Sequence, residues 1–243
     1  HTLVALPDVP RREELQAFLD RLQGSGEPIS GNRYFWTSDF MVHHRPGYYV
    51  SVKASSTRTM ATEIGNYENL KGHHLGDAMM FIMRTGREYD QAFPLWNWEM
   101  LPGTTVRHME HPLLLDGSWL TVQGAGNPAG GVSDGQYGAL AMHLDRDGVR
   151  ARKAWFFFDR EVVALGTDIE GTTVTTSIKR ARLTGDVTVG AAGGELLLEP
   201  DVHVALEGVS WVHHDGVAYV FAEPAAVQLS NAVRTGRWSD INS

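Results

Sequence analysis

The sequence predicts an all-β fold, a large antiparallel β-sandwich with one short N-terminal helix. Three observations carry this. The clear helical period ends before Gly24, and the remainder falls into short runs rich in β-branched and aromatic residues. Repeated Asp-Gly and Gly-Gly turn signals, among 26 glycines in 243 residues, separate those runs. A sandwich covers its sheet faces by stacking them, and chains of this length often form one such unit.

Along the chain, Asp8-Val9-Pro10 offers a cap and a first-turn proline. Leu15, Phe18, Leu19 and Leu22 then give residues 11–23 an apolar helical stripe, which Gly24 ends. Strand-like runs follow at 48–52, 113–122, 138–144, 154–158, 161–165, 174–178, 195–198, 210–212 and 217–221. Turns are expected at Asp116-Gly117, Asp147-Gly148, Gly193-Gly194 and Asp215-Gly216, the last being the sharpest hairpin signal. The apolar run Trp155 to Phe158 reads as a strand buried on both faces. Gly124 to Gly131 lacks the Gly-Lys-Ser/Thr ending of a phosphate loop and is expected to be a surface loop. No internal repeat or linker divides the chain.

Composition narrows the function classes. A formal net charge of −8 argues against nucleic acid or an anionic membrane surface as partner. The charge is uneven: residues 41–90 hold six Lys/Arg against five Asp/Glu, leaving +1 there and −9 elsewhere, so an anionic polymer would be tolerated on that stretch. No window approaches about 18 uninterrupted apolar residues, and no signal-peptide pattern opens the chain. The absence of cysteine excludes disulfides and thiolate metal sites. A start at His1 and an end at Ser243 suggest a processed protein or an excised domain.

Candidate chemistry concentrates around Glu63-Ile64-Gly65-Asn66. A carboxylate at Glu63 can accept from an imidazole N–H and fix its tautomer, and Asn66 offers both a donor and an acceptor without adding charge. From spacing alone, a solvated Glu on a strand edge and an Asn in a turn is the better account of the pair, and it is the surrounding blocks that favour a functional role. Asn69 is a further candidate contact. Arg58 suits a carboxylate or sulfate, or an internal ion pair with Glu63 or Glu68. Trp96 and Trp98 would share one face of a strand, to stack on a sugar or to fill the core. The pairs His43-His44, His73-His74 and His213-His214 suggest a metal at first glance. Adjacent strand residues point to opposite faces, however, so no metal site is expected. Neither Gly-x-Ser-x-Gly nor His-Glu-x-x-His occurs.

Longer blocks surround these residues: Gly47 to Lys53, Ser55 to Thr59, Asn66 to Gly72, Trp96-Asn97-Trp98 and Leu101 to Thr105. Others follow at Ala151 to Phe158, Glu161 to Gly166, Trp211 to Asp215 and Ser230 to Asn242. Over roughly residues 30–243 the chain resembles polysaccharide lyase family 8, secreted lyases that cleave hyaluronate, chondroitin, xanthan and related uronic-acid polymers by β-elimination. The resemblance implies a galactose mutarotase-like supersandwich at 29–243. It makes residues 1–28 the helical lead-in from a preceding α/α toroid domain, and places further strands and a smaller C-terminal β domain beyond this chain.

Such a lyase must neutralise the uronate carboxylate, remove the adjacent carbon-bound proton and protonate the departing oxygen. The resemblance assigns the proton work to a Tyr and a His, with an Asn by the carboxylate, all on the toroid. It assigns to the sandwich wall Glu63, which helps hold the catalytic His and an Arg, and Asn66, which contributes hydrogen bonds to the site; Arg58, Asn69 and Trp96 stand beside them as candidate substrate contacts on their own side-chain chemistry. It implies an anionic polysaccharide and the toroid as partners, no cofactor, no metal, and a bacterial protein that is secreted, extracellular or periplasmic. This chain alone would be inactive. The alternative is a non-catalytic carbohydrate-binding or scaffold module.

Overall fold

The computed structural model describes residues 4–242 except 6–7, 64–67, 110–120 and 124–127. One helix, α1 (Arg12–Leu22), precedes the strands, as its apolar period requires. It starts after Arg11, in the left-handed conformation, rather than being capped by Asp8. The chain divides into two compact units, residues 1–88 with 97–179, and residues 89–96 with 180–243.

The first unit holds β1 (Gly31–Phe35), β2 (Phe40–Arg45), β3 (Tyr48–Lys53), β4 (Met60–Glu63), β5 (Met79–Met83), β6 (Thr105–Arg107) and β7 (Thr121–Gln123). Its later strands are β8 (Ala129–Ser133), β9 (Gly138–Arg146), β10 (Val149–Phe157), β11 (Val162–Glu170) and β12 (Val174–Thr176). They form two four-stranded antiparallel sheets, β1-β2-β3-β5 and β11-β10-β9-β8, and the two-stranded pairs β12-β6 and β4-β7. One core joins the large sheets: Met41, Val50, Val52 and Met80 from the first meet Leu140, Met142, Leu144, Trp155 and Phe157 from the second. This is the face-to-face stacking that antiparallel sheets need to bury their apolar faces. The hairpin between β9 and β10 turns at Asp147-Gly148, both at positive φ (54° and 79°), which matches the twist of the flanking strands.

The second unit is one antiparallel sheet, β14-β13-β15-β16, of β13 (Val187–Ala191), β14 (Gly194–Leu197), β15 (His203–His214) and β16 (Val217–Ser230). Val189, Val209 and Val212 form its core, with Phe221 and Leu229 packed against them. Asp215 and Gly216, at φ 53° and 66°, make the expected hairpin turn.

Three expectations are corrected. Phe156 and Phe158 are 37% and 40% exposed while Trp155 and Phe157 are buried. The run is therefore not buried on both faces; the pleat turns its alternate side chains outward although the strand is central in its sheet. Ala129 to Gly131 belong to β8, where pairing with β9 overrides their turn-like composition. Residues 93–95 form a 3₁₀ turn and 96–98 lie outside any strand, so Trp96 and Trp98 share no strand face. The run at 113–120, the Asp116-Gly117 turn and Gly124 to Asn127 lie outside the described residues.

Candidate functional site

The segment 55–63 is built around Asp39, a fully buried carboxylate on a left-handed residue (φ 47°). Asp39 Oδ2 accepts from Ser56 Oγ at 2.5 Å and Thr59 Oγ1 at 3.1 Å, and Oδ1 accepts from Tyr34 Oη at 2.7 Å and from the Arg58 guanidinium. Burial alone would raise the Asp39 pKa. The hydroxyl bonds from Ser56, Tyr34 and Thr59, with the Arg58 charge, outweigh it and hold the group below its ordinary value. Burial, and then the bond to this anion, push Tyr34 up to about 12. Ser56 and Thr59 close the loop on itself as well, through Ser56 N–H to Thr59 Oγ1 and Thr59 N–H to Ser56 O, both 3.0 Å.

Arg58 thus pairs with Asp39 and with the Ala129 carbonyl at 3.0 Å, so of its two readings the internal ion pair is formed, but with Asp39 rather than with Glu63 or Glu68. Its side chain remains 48% exposed, so the anchored guanidinium still presents a cationic edge to solvent.

From this loop the chain enters β4, where Ala61 and Thr62 are buried and Glu63 is exposed at the end of the strand. The segment 70–77 packs closely against this strand. A side chain at Gly76 would put its first carbon 2.6 Å from Ala61 Cα, and one at Gly72 3.1 Å from Thr62 Oγ1, so the two glycines allow that segment to lie directly on β4. Asn69, half-buried and left-handed (φ 48°), accepts the Lys71 N–H at 3.2 Å and shapes the entry to this segment. Asn66 lies outside the described residues. Arg58, Glu63 and Asn69 therefore belong to one loop-strand-turn stretch of the first unit. Trp96 belongs to the second unit, where its indole N–H donates to the Arg180 carbonyl at 2.8 Å and its ring packs on Phe93 and Tyr89.

Among the histidine pairs, His43 is fully buried. Its Nε2 donates to the Phe158 carbonyl at 2.8 Å, which leaves Nδ1 to accept from Asn32 Nδ2 at 3.3 Å. Burial lowers its pKa. Arg45, on the same face of β2, donates to Asp159 Oδ1 at 3.0 Å and to the carbonyls of His44 and Gln136. His43 and Arg45 thus serve as internal clasps of the sandwich. His214 is buried in the second unit, where its Nε2 accepts the Thr184 N–H at 3.2 Å. The opposite-face rule applies to the pairs in β2 and β15. It does not apply to His73-His74, which stand in a 3₁₀ turn (Gly72–His74) with their rings 4.7 Å apart. The sequence reading missed two features here, Asp39 and the neighbourhood of His73 and His74. Nothing local marks Asp39, whose acceptors are filled from positions 5 to 20 residues away.

Architecture and wall define the class first: a large antiparallel β-sandwich domain with an exposed carboxylate on a closely packed strand. The chain belongs to polysaccharide lyase family 8, whose super-sandwich domain model matches residues 30–243. It is 39% identical to chondroitinase-AC of Pedobacter heparinus over 86% of this chain and 30% of that protein. It is 32% identical to a hyaluronate lyase of Thermasporomyces composti over 94% of this chain and 31% of that protein. Among solved structures, a chondroitinase AC lyase studied in complex with oligosaccharides superposes with a TM-score of 0.87 at 34% identity, covering 97% of this chain and 36% of that one. The chain thus spans about a third of the length of these relatives. No helix among the described residues is long and apolar enough to cross a membrane.

Proposed function

We propose that this domain forms one wall of the cleft of a lyase that cuts uronic-acid polysaccharides by β-elimination. In this reading Glu63 and Asn66 are presented by the wall to a helical domain that carries the proton-transferring Tyr and His. The observation that carries the proposal is the family match across residues 30–243, joined to an exposed acid at Glu63 on a strand against which the segment 70–77 packs closely. A carboxylate so placed can accept from a catalytic imidazole and fix its tautomer, and a packed support is what an orienting group requires. Asn66 adds hydrogen bonds without placing another negative charge beside a polyanion. Arg58, fixed at one edge by Asp39, offers a cation for a substrate carboxylate or sulfate. Asn69 serves chiefly by shaping the turn that leads into that segment, and Trp96 contributes a partly exposed ring.

Chondroitin is the first substrate to test, because identity to the chondroitinase is 39% against 32% to the hyaluronate lyase. A polymer of this size does not enter a cell, so the enzyme would act outside it, after export. In the full-length protein, Glu63→Gln should lower turnover on chondroitin by about 100-fold or more, as loss of an acid that orients a catalytic histidine does, with binding little changed. The readout is the ultraviolet absorbance of the unsaturated product. Unchanged turnover, or saturated products, would refute the proposal; unchanged turnover would make the domain a scaffold or carbohydrate-binding module.

A further inference from the structure

We propose that His73, His74 and Asp147 form a binding site for one divalent ion of the nitrogen-preferring class, zinc above all, which clamps the Gly72–His74 turn to the β9–β10 hairpin. The nearest ligand atoms of the three side chains all lie within 4.8 Å of one another. Ligands around a tetrahedral zinc, each at about 2 Å, stand about 3.3 Å apart, so the site needs a modest contraction. Part of it is already made: His73 Nε2 lies 2.8 Å from Asp147 Oδ2.

The decisive feature is His74. Its Nδ1 lies 2.8 Å from Asp77 Oδ2, and a carboxylate only accepts, so in the neutral ring Nδ1 carries the proton and Nε2 the lone pair. His74 is 4% exposed, and that Nε2 is buried with no hydrogen-bond partner among the described residues. Buried polar atoms are seldom left so, and an orphaned imidazole lone pair beside a second imidazole and a carboxylate is an electron-pair donor awaiting an acceptor. The Asp77–His74 bond is also the support that metal-bound histidines ordinarily have on their other nitrogen. Asp77 is itself fixed by Arg146 Nη1 at 2.9 Å.

Two costs have to be met. His73 must surrender the proton it shares with Asp147 and carry one on Nδ1, which lies 3.4 Å from Arg146 Nη2, so the guanidinium must slide towards the carboxylates. Arg146 also places a positive charge beside the ion. With both imidazoles neutral, Asp77, Asp147 and Arg146 sum to −1, so a divalent ion leaves the cluster at +1 rather than +3. Two imidazoles and one carboxylate select zinc or cobalt over calcium or magnesium, which prefer oxygen donors. The His73 and Asp147 side chains are 14% and 25% exposed, enough for an ion to enter and a water to fill the fourth position. Because the clamped segment packs closely against β4, the ion would stiffen the strand that ends in Glu63.

Cobalt(II) titration of the chelator-stripped full-length protein, followed by visible absorption and by competition with zinc and calcium, tests this without any substrate and so independently of the lyase reading. The expected result is one equivalent of cobalt with the intense bands of low coordination number, displaced by zinc and not by calcium. His74→Gln and Asp147→Asn should each weaken it at least tenfold, whereas His213→Gln should not. Asp147→Asn keeps a residue that accepts the left-handed turn, so it remains informative if His74→Gln fails to fold. Absence of uptake by the folded protein, or uptake unchanged in both variants, would overturn the proposal.

Discussion

Replacing Lys153 with methionine should flatten the alkaline side of the stability profile. Lys153 occupies an inward position of β10 between Ala151 and Trp155, buried in the sandwich, with its ammonium donating to the Gly103 carbonyl at 2.5 Å. Burial pushes its pKa from 10.5 down to about 8, against a smaller opposing pull from Asp77. The unfolded chain therefore holds this proton between about pH 8 and pH 10.5 when the folded one has released it, and native stability rises through that window. Below pH 8 both states are charged and the full penalty persists. At 1.36 kcal/mol per pH unit the difference comes to about 3 kcal/mol. Methionine fills a similar volume without a charge. Urea unfolding at pH 7 and pH 10.5 should show the native protein gaining about 3 kcal/mol on Lys153→Met across that interval. Other groups, including Tyr34, titrate alike in both proteins and cancel. Parallel profiles would refute the reasoning, because they would mean that the ammonium is solvated in the folded state.

Asp39→Asn should cost about 2–4 kcal/mol by removing the buried anion that receives Arg58 and three hydroxyls. Its depressed folded pKa also means that its contribution is complete above the ordinary carboxylate value and lost as pH falls below it, so the variant should show a shallower acid limb in urea unfolding. Gly76→Ala should cost about 1–3 kcal/mol, read as a lowered thermal midpoint, because the added carbon meets the backbone of β4 and not a yielding side chain.

Most strands were legible because one face of each carries β-branched or aromatic residues, and both I′-type hairpins were legible because Asp-Gly accepts the left-handed backbone. β1 and β2 were not. In β2 the core-facing positions include His43 and Arg45, whose satisfaction depends on Phe158, Asp159 and Gln136, more than 90 residues along the chain. A local pattern cannot announce such partners. The run at Trp155 misled for a different reason: aromatics on the outward face of a sheet look, in one dimension, like aromatics in a core. Glu63 stood out through the blocks around it, since a four-residue spacing carries little information. The same rule that set the histidine pairs aside failed at His73 and His74 because it assumed a pleated backbone where a tight turn brings successive rings together.

The reach of the His43 and Arg45 clasps has a consequence for biogenesis. A ribosome releases the first β-meander well before it makes Phe158 and Asp159, so the nascent segment must wait with two polar groups destined for the interior still hydrated. Final locking of this unit is therefore a late event in synthesis, governed by closure of a loop of more than a hundred residues rather than by local hairpin formation.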